Sequence, residues 1–120
     1  MGKKILVVDD EPDLLEIAVF RLKKAGYEII TAIDGNQALD IISSIPLDLV
    51  LLDLLLPGIN GVEVSRRIKT DRSLCHIPVI LFTASTIDIR EKNKEALADD
   101  YLTKPFDLDV LLRKIDSLLK

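Results

Sequence analysis

The sequence predicts an α/β protein built on a doubly wound parallel sheet. Three observations carry this. Five short β-runs alternate with five helical stretches along the chain. The inner runs, "ILVV", "LVLL" and "VILF", are apolar throughout rather than alternating, as expected of strands covered on both faces. And 120 residues, 48% of them hydrophobic and 30% charged, suffice for one domain with a proper core and no metal or disulfide staple.

The elements follow in order. Lys4 to Val8 is a short β-run. Pro12 then sits where a first helical turn tolerates it, with Asp10 or Glu11 as candidate caps. Leu14, Ile17, Ala18, Leu22 and Ala25 recur at helical spacing and form the expected core stripe, which Gly26 stops. Tyr27 to Ala32 is a second strand, and Asp34-Gly35 is turn chemistry before a short helix through Ser44. Leu47 to Leu52 is the third strand and Ile77 to Phe82 the fourth. Tyr101, Leu102 and Thr103 form the centre of a short fifth. Helical stretches fill roughly 60–70, 87–97 and 107–119. No internal repeat, low-complexity tract or linker interrupts this rhythm, so residues 1–120 are expected to form a single domain.

Composition excludes several classes. The formal net charge is −4, with no block of basic residues, which argues against a nucleic-acid surface. The longest apolar stretches fall far short of the ~20 residues that cross a bilayer. Only Met1 to Lys4 precede the first strand, which leaves no room there for a cleavable signal. A lone cysteine, Cys75, cannot form an internal disulfide, and a reducing cytoplasm is the expected location. Cys75 itself reads as an inert thiol. His76, the only histidine, reads as a surface residue, and a zinc site is not expected.

The acids are the informative part. The first strand runs straight into Asp9, Asp10 and Glu11, and two like charges about 4 Å apart repel by roughly 4 kcal/mol at an effective dielectric near 20. Something must offset that repulsion. In open doubly wound sheets, ligands bind beyond the carboxyl ends of the strands. Asp9 and Asp10 follow the first strand, Asp53 the third, Thr83 the fourth, and Lys104 the fifth, just before Pro105. Singly, each has an ordinary structural use: an aspartate or threonine there usually caps a helix, a lysine is usually solvated, and Tyr101 is usually core. Together they place three carboxylates, a hydroxyl and an ammonium on one edge. Oxygen-only ligands without His or Cys favour Mg²⁺, and a carboxylate can serve as a nucleophile through an aspartyl-phosphate.

Four segments, "ILVVDDEPD", "LVLLDLLLPGING", "VILFTAS" and "DDYLTKPF", resemble the receiver domain of bacterial response regulators, and the resemblance runs over essentially the whole chain. It implies a flavodoxin-like sheet with strand order 2-1-3-4-5. It also implies a phosphoryl group accepted on Asp53, with Mg²⁺, from a sensor histidine kinase or a histidine phosphotransfer protein. By the resemblance, Asp10 ligates Mg²⁺ directly, Asp9 assists, and Asp53 and the backbone carbonyl of Leu55 complete the protein's share. Thr83 and Lys104 contact the phosphoryl group. Thr83 and Tyr101 form the switch, relaying the signal to the surface of helix four, strand five and helix five. Pro57 and Gly61 match the turn after the phosphoacceptor, and the bond between Lys104 and Pro105 is expected to be cis. Such a chain catalyses its own phosphorylation and slow dephosphorylation without a separate substrate. It is expected as a monomer or weak dimer that touches neither nucleic acid nor membrane, with an output partner or fused output domain still to be identified.

Two other classes fit less well. Aspartate-nucleophile phosphohydrolases also use Mg²⁺ and a parallel sheet, but their motif has a second Asp two residues after the nucleophile, where this chain has Leu55. A degenerate receiver, acting as a constitutive binding module, typically lacks an acid, the phosphoacceptor or the lysine, and this chain keeps all of them.

The chain also departs from the family pattern. "LADDYLTKPF" stands where "GADDYLTKPF" is expected, and the segment from Thr83 to Lys104 is one residue short. A left-handed leucine costs roughly 1–2 kcal/mol, so helix four is expected to end in some other way than at a left-handed Leu97. The transcription-factor subclass dimerises through matched charges on helices four and five. Arg90, Glu95, Asp99, Asp100 and Lys114 offer part of such a set, but Asp116 stands where a base is expected. The chain stops at the end of helix five, with no output domain in view. On the first helix, Leu15 and Val19 lie off the expected core stripe beside Phe20, which suggests a docking face for the helical phosphodonor. Finally, Leu55 and Ser85 occupy the positions that, by resemblance, influence the water that hydrolyses the phosphoryl group.

Overall fold

The computed structural model describes residues 2–11, 16–83, 89–103 and 107–119. Strands and helices alternate: β1 (Lys4–Val8), α1 (Glu16–Lys24), β2 (Glu28–Ala32), α2 (Gly35–Ser44), β3 (Leu49–Asp53), α3 (Gly61–Thr70), β4 (Val79–Thr83), α4 (Ile89–Ala96), β5 (Asp100–Thr103) and α5 (Leu108–Leu118). All strand pairs are parallel and the sheet order is β2-β1-β3-β4-β5. The fold is therefore the flavodoxin-like α/β architecture that the motifs imply.

Strand periodicity divides the core into two layers. Leu6, Val8, Val50, Leu52, Val79 and Leu81 point to one side, where Ala38 and Ile42 of α2, Val64 and Ile68 of α3 and Ala96 of α4 cover them. Ile5, Val7, Leu49, Leu51, Ile80 and Phe82 point to the other, under Ala18 and Leu22 of α1 and Leu111 and Ile115 of α5. Local chemistry starts the helices. Asp34 is the N-cap of α2 rather than a simple turn residue: its Oδ1 accepts from Gln37 N at 2.7 Å, while Gln37 Oε1 accepts from Ile33 N at 2.8 Å. Asn60 caps α3 by accepting from Glu63 N, and Asp107 caps α5 by accepting from Asp109 N and Val110 N.

The inner strands start later than their apolar runs do. Leu47 and Ile77 are buried, yet Ile77 N donates to Leu74 O at 2.9 Å, closing a turn instead of joining the ladder. Pro78 then has no N–H to give. β4 consequently begins at Val79, β3 begins at Leu49, and they extend through Thr83 and Asp53, so both polar residues are the last of their strands.

The stripe expected on the first helix is corrected at Ile17 and Ala25. Ala18 and Leu22 are buried and Val19 packs half-buried beside them, whereas Ala25 is exposed and Ile17 is 69% exposed. The i, i+4 pair Ala18 and Leu22 makes the core contact as the stripe predicts, with Val19 beside it in place of Ile17 and Ala25. Ile17 and Phe20, three residues apart, are the exposed apolar pair, and Lys24 Nζ lies 5.0 Å from the Phe20 ring centroid. Leu14 and Leu15 lie outside the described residues.

The end of α4 overturns a further expectation. Leu97 does adopt the left-handed conformation, with φ 60. Its N–H donates to Lys94 O at 3.2 Å and Ala98 N–H donates to Asn93 O at 3.2 Å, the paired bonds of a Schellman motif. Support from α3 explains why: Ser65 Oγ donates to Ala96 O at 2.8 Å and Arg66 Nη1 donates to Glu95 O at 2.6 Å. Two carbonyls at the helix end thus gain donors from a neighbouring helix. Among the described residues, no helix is long and apolar enough to cross a membrane.

Candidate functional site

β1 and β3 are direct neighbours in register, Val8 opposite Leu52, so the residues that follow them are brought together at the carboxyl edge of the sheet. One carboxylate oxygen from each of Asp9, Asp10 and Asp53 lies within 4.8 Å of the others. Asp9 and Asp53 are only 3% and 7% exposed, while Asp10 is open to solvent. Backbone donors fix the two buried acids. Asp9 Oδ1 accepts from Glu11 N at 2.8 Å, and Asp53 Oδ1 accepts from Leu55 N at 3.0 Å. Each carboxylate thereby orders the first turn of its own loop.

Asp53 needs a close neighbour without a side chain. A Cβ on Gly61 would lie 2.2 Å from Asp53 O and 2.8 Å from Leu54 Cα, and Gly61 N donates to Leu54 O at 2.9 Å. α3 can therefore begin directly against the backbone of Asp53 only because residue 61 is glycine. Gly35 does similar work, which reading it as turn chemistry missed. Its Cβ would fall 2.3 Å from Ile59 O, so the start of α2 packs against the loop behind Asp53. The available signal was a glycine immediately after an Asp cap.

The remaining predicted residues fall as follows. Thr83 is buried at the end of β4, one step beyond the Asp53–Phe82 register pair, so it shares the edge with the acids. Leu55 follows in the loop, 55% exposed, with its N–H on Asp53. Tyr101 sits on β5 opposite Leu81, half-buried against the layer that includes α3 and α4. Lys104, Pro105 and Ser85 lie outside the described residues. His76 and Cys75 are both exposed.

The charges on the α4 and α5 side are largely engaged within the chain. Lys114 Nζ reaches both carboxylate oxygens of Asp100, at 3.0 and 2.9 Å. Lys69 Nζ pairs with Asp99 at 2.9 Å, and Lys92 with Glu95 at 3.3 Å. Asp99 Oδ2 also accepts from Val79 N at 2.7 Å, tying the entry to β5 to the start of β4.

An all-oxygen donor set with one solvent-facing member suits Mg²⁺, which binds through one or two carboxylates and keeps several waters. The three acids fit that ion.

A family model described as the response regulator receiver domain matches residues 5–116. Among solved structures, response regulator protein TrrA from Thermotoga maritima, in complex with Mg²⁺ and BeF, is 40% identical over 98% of this chain and 99% of its own, with a TM-score of 0.86. The receiver domain of a sensor histidine kinase from Pseudomonas aeruginosa, with a magnesium ion coordinated in its active-site cleft, is 30% identical over 99% and 98%, with a TM-score of 0.90. The signal receiver domain of a signal transduction histidine kinase from Syntrophus aciditrophicus is 32% identical over 98% and 90%, with a TM-score of 0.92.

Proposed function

Because the chain belongs to the response regulator receiver domain family, we propose that it is a phosphorylation-driven switch whose phosphoacceptor is Asp53. The observation that carries this reading is the meeting of Asp9, Asp10 and Asp53 within 4.8 Å at the carboxyl edge of the sheet. The donor is a sensor histidine kinase or a histidine phosphotransfer protein, encountered in the cytoplasm. A carboxylate oxygen of Asp53 attacks the phosphorus in line. The new O–P bond forms as the P–N bond of the phosphohistidine breaks, and the leaving imidazole keeps the electron pair.

Asp10 and Asp53, the backbone carbonyl of Leu55 and, in a supporting role, Asp9 would hold Mg²⁺. When bound, the ion supplies positive charge against the phosphoryl oxygens. Thr83 donates a hydrogen bond to the phosphoryl group and Lys104 pairs with it. As Thr83 moves toward the phosphate, Tyr101 follows into the space left behind, and the surface of α4, β5 and α5 reports the change to an output partner. The burial of Thr83 and the half-buried setting of Tyr101 support this pairing of roles.

Incubation with a small acyl phosphate tests the reading. Labelling should require Mg²⁺, reach about one phosphoryl per chain, and map to Asp53 by mass spectrometry after borohydride trapping. Asp53→Asn should abolish it. Full-stoichiometry labelling of that variant would refute the assignment.

Leu55 sets the lifetime of the phosphorylated state. Hydrolysis needs a water held opposite Asp53, and the exposed side chain of Leu55 has no group to orient one. Losing one such contact raises the barrier by about 1–3 kcal/mol, or about tenfold to hundredfold in rate. Following labelled phosphate at fixed Mg²⁺, Leu55→Asn or Leu55→Glu should lose it faster by that factor. A parent that dephosphorylates as quickly as both variants would rule this role out.

A further inference from the structure

The end of α4 is held from outside by α3, whose first residue, Gly61, lies against the backbone of Asp53. Ser65 Oγ, fully buried, donates to Ala96 O at 2.8 Å, and Arg66 Nη1 donates to Glu95 O at 2.6 Å. The next residue, Leu97, carries a left-handed backbone at φ 60, a conformation that side chains disfavour. One turn earlier, Asn93 is only half satisfied. Its Nδ2 donates to Ala98 O at 3.3 Å, while its Oδ1 is buried without a hydrogen-bond partner among the described residues. The last turn of α4 therefore combines backbone strain and an unmatched polar atom with two bonds from α3 that offset them.

Those two bonds come from residues four and five positions after Gly61. That glycine is wedged against the phosphoacceptor, where a Cβ would lie 2.2 Å from Asp53 O and 2.8 Å from Leu54 Cα, and its N–H is bonded to Leu54 O at 2.9 Å. No slack separates the start of α3 from the backbone of Asp53. A displacement there must move α3 as a body, and Ser65 and Arg66 with it.

We propose that α3 is a latch on α4: Ser65 and Arg66 keep the strained last turn of α4 closed, and a change at Asp53 loosens them through Gly61. The inference gives α4 a second link to the phosphoacceptor, beside the one through Thr83 and Tyr101. Its coupling to phosphorylation rests on Asp53 being the phosphoacceptor. The latch itself does not.

Hydrogen exchange without phosphodonor, read at the amides of Leu97 and Ala98, separates the two halves. In Ser65→Ala/Arg66→Met these amides should exchange about tenfold faster, with β1 and β3 amides unchanged. Labelling of Asp53 by a small acyl phosphate at saturating Mg²⁺ should rise severalfold in the same variant. Leu97→Gly removes the strain and should move both readings the other way. Arg66→Met alone, at an exposed position, gives a smaller shift of the same sign if the double variant folds poorly.

Unchanged exchange at Leu97 and Ala98 overturns the latch, as does an equal increase across β1 and β3. Faster local exchange with unaltered labelling overturns the link to Asp53. If the parent itself takes no label, the phosphoacceptor reading falls, while the exchange data still decide the latch.

Discussion

α1 and α4 end with the same pair of hydrogen bonds but with different residues at the left-handed position. In α1, Gly26 N–H donates to Lys23 O at 3.0 Å and Tyr27 N–H to Leu22 O at 3.2 Å, with Gly26 at φ 99. In α4 the equivalent bonds run from Leu97 to Lys94 and from Ala98 to Asn93, with Leu97 at φ 60. Glycine lets the first motif form on local chemistry alone. Leucine brings a local cost of roughly 1–2 kcal/mol to the second, and the chain accepts it because Ser65 and Arg66 supply two further donors to carbonyls of the same turn. One helix end is specified by its own residues. The other is specified by a neighbour about thirty residues away in sequence.

The sharpest way to break this comparison is to give α1 the residue that α4 has. The Cβ that Gly26→Leu adds meets no atom within 4 Å, so its cost is backbone strain rather than collision. At φ 99 the backbone lies farther from the left-handed well than Leu97 does, and among the described residues no side chain from another helix is bonded to the carbonyls of this turn. Urea unfolding should show a loss of about 2 kcal/mol. A loss under about 0.5 kcal/mol would mean that the motif tolerates any residue and that the contrast with α4 is empty.

A smaller effect is expected from the supporting side. Ser65→Ala leaves the buried end of α4 without the hydroxyl that Ala96 O accepts from, which should lower stability by about 1–2 kcal/mol in the same measurement. A neutral substitution would show that another donor, or water, satisfies that carbonyl.

The same divide between local and tertiary causes governs what could be read from the sequence. The strand order followed from the motifs, and the acid cluster from the rule that ligands gather at carboxyl strand ends, because neighbouring strands bring Asp9 and Asp53 together by register alone. The late starts of β3 and β4 escaped the apolar pattern. Burial of Leu47 and Ile77 extends the hydrophobic run, but at Ile77 a turn bond to Leu74, which the pattern does not encode, keeps the N–H out of the ladder. Ile17 and Ala25 were misplaced on the face of α1 for a related reason. Ile17 is as apolar as Leu22, and only the docking of the helix against the sheet decides which is covered. Leu97 was misjudged because its local cost was visible while Ser65 and Arg66 looked like ordinary residues of another helix. Lys104, the remaining member of the expected site, lies outside the described residues.

The least perturbing test reverses the first substitution and makes α4 resemble α1. Leu97→Gly removes the Cβ that disfavours φ 60 while leaving the Lys94 and Asn93 carbonyl bonds in place. Two terms oppose the gain. Glycine is freer in the unfolded chain, and the half-exposed leucine loses what apolar contact it has. Because helix ends strongly prefer glycine at this position, relief of strain should prevail and stability should rise by about 1 kcal/mol, a few degrees in Tm. In the Ser65→Ala background the gain should persist, since the two effects act on different groups of the turn, one on a dihedral and one on a carbonyl. A loss of stability in Leu97→Gly would show that the leucine side chain holds the α4 end by packing, and that Ser65 and Arg66 offset no strain there at all.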